Sequence, residues 1–285
     1  MQPFDYVRPH SLAEATDLLS SHAEEAALLA GGTDLIVQME KGARKPAVVI
    51  DLKHVAELAK DIDVHDGQLR VGALVSLSDA EKNENIRGLF PALAEAARVI
   101  GSVQIRNRAT LVGNICNASP AADTAPPLLV YDARVNVFGP QGRRTVPIDE
   151  FFLGPGLTAL EPGELVESVD LPSPNEPTSS AFCRLARRRG MDLASVSVAC
   201  RVTASGELRL AFGAAGPTPI LVKEEDAAFL RGASSDRLNA RLKRLAESAR
   251  PISDVRAGED YRRAMLPVLS RRALEAAREL LKETR

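Results

Sequence analysis

The spacing of apolar positions changes period several times along the chain. Leu12, Leu18 and Leu19 form an apolar stripe behind Ser11, and Ser11 with Glu14 has capping-box spacing, which predicts an opening helix. Residues 26–30 are continuously apolar and predict a short buried strand, broken by Gly31-Gly32. Leu35, Ile36 and Met39 predict a helix capped by Thr33 or Asp34 and stopped at Gly42, and residues 48–52 predict another strand. This β-α-β order fits a small α/β subdomain. Farther on, residues 69–77 are strand-like, 90–99 form an alanine-rich helix that ends near Gly101, and 127–133 form a short helix. Strands are predicted over 134–138 and 143–148, around a GPQG turn.

Residues 172–179 (PSPNEPTS) hold three prolines in a polar stretch and mark a linker. Beyond it, 181–187, 194–204 and 207–216 read as three strands, with Ser205-Gly206 as a hairpin turn between the last two. The remainder is helical by pattern, over 224–230, 236–249 and 260–283. The class is therefore α+β, with residues 1–176 in one unit (subdomains about 1–54 and 55–176) and 177–285 in another. A chain of 285 residues is long enough for two such units.

Composition narrows the function. A formal net charge of −2 supplies no basic field for phosphate backbones, and the absence of tryptophan leaves few stacking surfaces, so nucleic acid is not the expected partner. No apolar run spans a bilayer and the N-terminus lacks a signal pattern, so a cytoplasmic location is expected. Cys116, Cys183 and Cys200 are widely spaced with no CxxC, which argues against a metal or iron–sulfur site made by this chain. Cys183 and Cys200 read as buried structural thiols. His10, His22, His54 and His65 read as solvated or capping residues. The run Arg187-Arg188-Arg189 reads as a solvated or ion-paired face, with subunit docking as the alternative.

Two segments could hold a cofactor. In Leu29-Ala30-Gly31-Gly32-Thr33-Asp34, a strand runs through paired glycines into a helix, exposing backbone N–H groups that suit a phosphate. Asp34 would repel a phosphate unless it faced a hydroxyl, an amide or a lysine. In the second segment, Ala109-Thr110-Leu111-Val112-Gly113-Asn114 is followed by Ala118-Ser119-Pro120-Ala121-Ala122-Asp123-Thr124, small residues with hydroxyl, amide and carboxylate partners. Read singly, the first is also explained as a tight turn and the second as a polar loop between core strands. Read together, they suit a ligand whose pyrophosphate lies between two subdomains. GxGxxG and the P-loop motif are both absent.

These residues resemble the FAD-binding subunits of the xanthine dehydrogenase and carbon monoxide dehydrogenase family. The resemblance runs through AGGTDL at 30–35, QIRNRATLVGN at 104–114 and ASPAADTAPPLL at 118–129. It continues through FLGPGLTAL at 152–160, AFCRLARRRGMDLA at 181–194, GAAGPTPI at 213–220 and the run 254–274, nearly the whole chain. It implies a two-subdomain FAD-binding domain of the vanillyl-alcohol-oxidase-like (PCMH) type. A C-terminal α+β domain with a three-stranded antiparallel sheet and helices follows.

The resemblance also implies roles. Residues 30–34 and 110–114 would bind the FAD diphosphate, Asp123 the ribityl or diphosphate region, and Ser119 and Ala122 would line the same loop. Leu160 and Arg184 would approach the isoalloxazine. Molybdenum cofactor and [2Fe–2S] clusters would sit on partners, a large molybdopterin-binding subunit and a small iron–sulfur subunit, in a dimer of heterotrimers. This chain would relay electrons and needs no catalytic acid, base or metal of its own. A self-contained flavin oxidoreductase and a scaffold that has lost FAD are the alternatives. Two positions depart from the family pattern: Val112 replaces a glycine, which would strain a left-handed backbone there, and Arg184 replaces the commoner lysine.

Overall fold

The computed structural model describes residues 1–188, 190–224 and 234–283. The N-terminal subdomain is a parallel sheet in the order β1 (Asp5–Val7), β3 (Val48–Asp51), β2 (Ala26–Leu29). Both faces are covered, as a parallel sheet requires. Val48 and Ile50 pack beneath α1 (Leu12–His22) in the large core, while Val49 and Ala27 meet Leu35 and Met39 of α2 (Leu35–Glu40). The opening helix starts as predicted: the Ser11 hydroxyl accepts from the Glu14 N–H at 3.2 Å. The Glu14 carboxylate reaches back one residue further, to the His10 N–H at 2.7 Å.

The second subdomain is a five-stranded antiparallel sheet whose strands are, in chain order, β4 (Ile62–His65), β5 (Gln68–Gly72), β6 (Arg134–Gly139), β7 (Gly142–Pro147) and β10 (Leu165–Pro172), in the spatial order β4-β5-β10-β6-β7. Between β5 and β6 run the short helices α3 (Leu77–Lys82), α4 (Glu84–Leu89), α5 (Pro91–Arg98), α6 (Val103–Arg106), α7 (Leu111–Cys116) and α8 (Ala125–Val130). After β7, a one-turn helix α9 (Ile148–Phe151) leads into the small hairpin β8 (Phe152–Gly154) and β9 (Leu157–Thr158). Strand 69–77 is shorter than its pattern suggests. It ends at Gly72, because the Ser76 hydroxyl accepts from the Asp79 N–H at 3.1 Å and caps a helix instead. The predicted helix 127–133 begins earlier, at Ala125, since Pro126 and Pro127 suit a first helical turn, where an N–H would have no partner.

The C-terminal unit holds the antiparallel sheet β11 (Thr178–Leu185), β12 (Val196–Thr203), β13 (Leu208–Gly213), β14 (Ile220–Glu224). The three predicted strands are present, and the count is corrected to four. The added strand is brief and follows two prolines, so its signal is weak, yet Ile220 and Val222 pack on the same core as their neighbours. The predicted helix at 224–230 lies outside the described residues, apart from Glu224, which ends β14. Helices α10 (Ser235–Leu245) and α11 (Glu259–Glu283) cover one face of the sheet through Val196, Val198, Cys200 and Val202. The opposite face, through Phe182, Ala199 and Ala211, joins the large core beneath α5 and α8. At that seam the Ala92 N–H donates to the Tyr131 and Ser180 hydroxyls at 3.1 and 3.2 Å, and the Phe182 N–H donates to the Glu95 carboxylate at 2.6 Å. Among the described residues no helix is long and apolar enough to cross a membrane.

Candidate cofactor site between two turns

The two segments singled out in the sequence meet through their backbones. A Cβ placed on Gly31 would lie 2.0 Å from the Arg108 carbonyl oxygen and 2.9 Å from the Ala109 Cα, so only glycine permits this approach. Gly32 takes φ +77°, which turns the chain from β2 toward α2. Among the described residues, the N–H groups of Gly31, Gly32, Thr33 and Asp34 have no acceptor within the chain. The side chain of Asp34 makes no capping bond, and desolvation raises its carboxyl above the usual carboxylate range. Farther along α2, the Gln38 amide donates to Asn117 Oδ1 at 3.3 Å, a second tie to the far subdomain.

The second segment is anchored by an antiparallel bridge. Ala109 accepts from the Leu77 N–H at 2.8 Å, and the Leu111 N–H donates to Val75 at 3.2 Å. Thr110 then caps α7, its hydroxyl accepting from the Gly113 N–H at 2.9 Å. Val112 is the second residue of this helix and is buried. Its backbone is not among the positive-φ residues, so valine at the family's glycine position brings no strain. Asn114 Oδ1 accepts from the Thr124 hydroxyl at 2.6 Å, which binds α7 to the loop beyond it. In that loop Ser119 Oγ accepts from the Ala121 N–H at 3.3 Å, and Ser119 O from the Ala122 N–H at 2.9 Å.

Asp123 lies at the end of this loop, with its side chain 6% exposed. Its Oδ2 pairs with Arg184 of β11 at 2.7 Å, whereas its Oδ1 has no partner among the described residues. Burial pushes its carboxyl up to about 6, against the opposing pull of the Arg184 charge and hydrogen bond. Arg184 also donates to the Gly190 carbonyl at 3.3 Å, so it links the loop, the C-terminal sheet and the segment after β11. Leu160 follows β9 and packs, half-buried, on the large core; no hydrogen bond among the described residues ties it to either turn.

Sequence reasoning missed several participants: the Arg108 carbonyl against Gly31, the Gly190 carbonyl on Arg184, and the Ala214 N–H that donates to the Pro120 carbonyl at 2.7 Å. All three are backbone groups, which leave no side-chain pattern. Cys200 is buried as read, whereas Cys183 is only half-buried against the same core; burial raises both thiols, which keeps them unreactive. His10 and His54 are exposed. Arg187 and Arg188 flank Asp192 at 3.7 and 3.8 Å; Arg189 lies outside the described residues.

The family described as FAD binding domain in molybdopterin dehydrogenase matches residues 2–174, and CO dehydrogenase flavoprotein C-terminal domain matches 181–277. The chain belongs to the molybdopterin dehydrogenase flavoprotein family. Among these flavoproteins it is 35% identical to a xanthine dehydrogenase FAD-binding subunit of Escherichia coli O157:H7, covering 95% of each chain. It is 32% identical to the carbon monoxide dehydrogenase medium chain of Hydrogenophaga pseudoflava, covering 96% of each. A solved carbon monoxide dehydrogenase from the same organism, in a form lacking the Mo-pyranopterin moiety, superposes with a TM-score of 0.90 at 32% identity, over 97% of this chain and 98% of that one. Molybdopterin dehydrogenase flavoproteins are oxidoreductase subunits with FAD as their cofactor, and this chain is one of them.

Proposed function

We propose that this chain is the electron-transfer subunit of a multi-subunit molybdenum hydroxylase and that its FAD lies between the two turns. The contact of Gly31 with the Arg108–Ala109 backbone carries this reading, because it puts the four N–H groups of residues 31–34 beside a second donor-rich segment. Those N–H groups, with the Thr110–Asn114 turn, would hold the diphosphate, an anion that suits unpaired backbone donors. Leu29 and Ala30 would flank it, and Ser119 and Ala122 would line the opposite wall. Asp123 Oδ1, a buried acceptor with no donor among the described residues, fits a ribityl hydroxyl. Arg184 and Leu160 would border the isoalloxazine.

Bound FAD would relay electrons from [2Fe–2S] clusters on a small partner subunit to an external acceptor. The chain's own residues bind and orient, so no general base or nucleophile is required. Residues 1–176 would form the flavin domain and 177–285 the C-terminal domain. A large molybdopterin-binding subunit would complete a heterotrimer, doubled in the assembly and located in the cytoplasm. The names of its relatives support this, since they are called "FAD-binding subunit" and "medium chain". Val112, the departure from the family pattern that would favour a scaffold without FAD, lies in a helical backbone that valine adopts without strain.

The test is to purify the chain, alone and co-expressed with its partners, and to identify released flavin against FAD and FMN standards. FAD near one per chain is expected in at least the complex. A complex free of flavin after incubation with excess FAD would refute the proposal.

A further inference from the structure

Arg262, in the first turn of α11, is the largest essentially solvent-free side chain among the described residues. One of its nitrogens donates to the Ala214 carbonyl at 3.0 Å, another pairs with Asp254 at 2.5 Å, and Nε has no acceptor among the described residues. A guanidinium held so deep is costly, and an apolar side chain of similar volume would fill the space more cheaply. Its distinctive contribution is the bond to Ala214.

Ala214 follows β13 and takes φ +53°, a left-handed conformation that costs a non-glycine residue about 1 kcal/mol. Both polar groups of this residue are engaged. Its carbonyl accepts from Arg262, and its N–H donates to the Pro120 carbonyl at 2.7 Å. Pro120 stands in the Ser119–Asp123 loop, directly after Ser119 and three residues before the Asp123 carboxylate. The next residue is fixed too, because the Arg250 N–H donates to the Ala215 carbonyl at 2.7 Å. A continuous path therefore leads from the C-terminal helix, through one strained peptide, to the loop that carries Asp123.

We infer that Arg262 is a positioning residue of the flavin site: by holding Ala214 left-handed it fixes the Ser119–Asp123 loop, and so the place where Asp123 meets the cofactor. This rests on the reading that FAD lies against that loop. Glycine adopts φ > 0 freely, so an Ala214→Gly change supplies without the arginine what the arginine enforces.

The experiment uses the full chain with its partners. FAD affinity is read by fluorescence titration and the flavin environment by visible circular dichroism, for wild type, Arg262→Met, Arg262→Met/Ala214→Gly, Arg262→Lys and Asp123→Asn. Arg262→Met is expected to weaken FAD binding about tenfold, the scale of one lost charge-assisted hydrogen bond, and to alter the flavin dichroism. Adding Ala214→Gly is expected to restore both to within about threefold of wild type, which a purely structural role for Arg262 would not do. If Arg262→Met does not fold, Arg262→Lys serves in its place, with a smaller loss and the same direction. Wild-type affinity and dichroism in the folded arginine variant, or no rescue by glycine, would overturn the inference. Asp123→Asn separates the levels: if it leaves FAD binding unchanged, the placement of FAD at this loop has failed. If it weakens binding and Arg262→Met does not, only the relay has failed.

Discussion

Replacing Gly31 with alanine tests the meeting of the two turns with a single methyl group. The added Cβ would stand 2.0 Å from the Arg108 carbonyl oxygen, 2.8 Å from its carbon and 2.9 Å from the Ala109 Cα. All three are backbone atoms. They belong to a segment bridged to Val75 and Leu77, so none can rotate aside as a side-chain tip could. The turns must separate, at an overpacking cost of roughly 1–3 kcal/mol. Where that separation falls on the binding geometry, it corresponds to an FAD affinity about 5- to 150-fold weaker. The assay is a titration with FAD followed by flavin fluorescence, paired with a thermal melt of the flavin-free chain. Gly88→Ala is the control: that glycine sits in α4 with open space around its Cβ position. Alanine there is expected to leave FAD affinity unchanged and to stabilise by up to about 1 kcal/mol. Wild-type FAD affinity and melting in Gly31→Ala would refute the argument that the site depends on this contact.

Three further outcomes are expected. Gly32→Asp adds bulk at a left-handed position and a negative charge beside the free N–H groups, so the purified variant is expected to carry no flavin when its absorbance spectrum is recorded. Asp123 titrates higher in the fold than in the unfolded chain, because burial outweighs Arg184; its contribution to stability is therefore present below the unfolded value of about 4 and is lost as pH rises through about 6. Melts of the flavin-free chain between pH 4.5 and 7.5 are expected to show this slope in wild type and not in Asp123→Asn, while FAD affinity falls as the pH is lowered below 6. Val112→Gly removes a buried side chain from a helix and is expected to destabilise by about 2 kcal/mol in denaturant titration without tightening FAD binding.

Much of this arrangement is legible along the chain, for reasons that differ by element. The Ser11 cap, the glycine pair after β2 and the alternation in β12 are local, and local chemistry decides them. Strand β14 is harder to see because only pairing with β13 makes so short a run a strand. The start of α8 shifts because proline is tolerated in a first helical turn. At the site, the residue types could be read, but not what they touch. Thr110 and Asn114 look like ligand donors, yet each also makes a structural bond, to Gly113 and Thr124. A left-handed alanine and a buried arginine, as at 214 and 262, break the rules from which sequence is read, and only the folded chain brings them together.

The C-terminal sheet is a wall shared by two rooms. One face of β12 belongs to the core beneath α11 and the other to the core beneath α5 and α8. Cutting the chain at its proline-rich stretch would therefore not release two finished pieces. The first would be left with Leu93, Leu128 and their neighbours uncovered, an apolar surface that invites aggregation. The second would lose the support behind Phe182, Ala199 and Ala211. The boundary most visible in the sequence is thus a poor place to divide the protein, and heating is expected to melt both halves in one step.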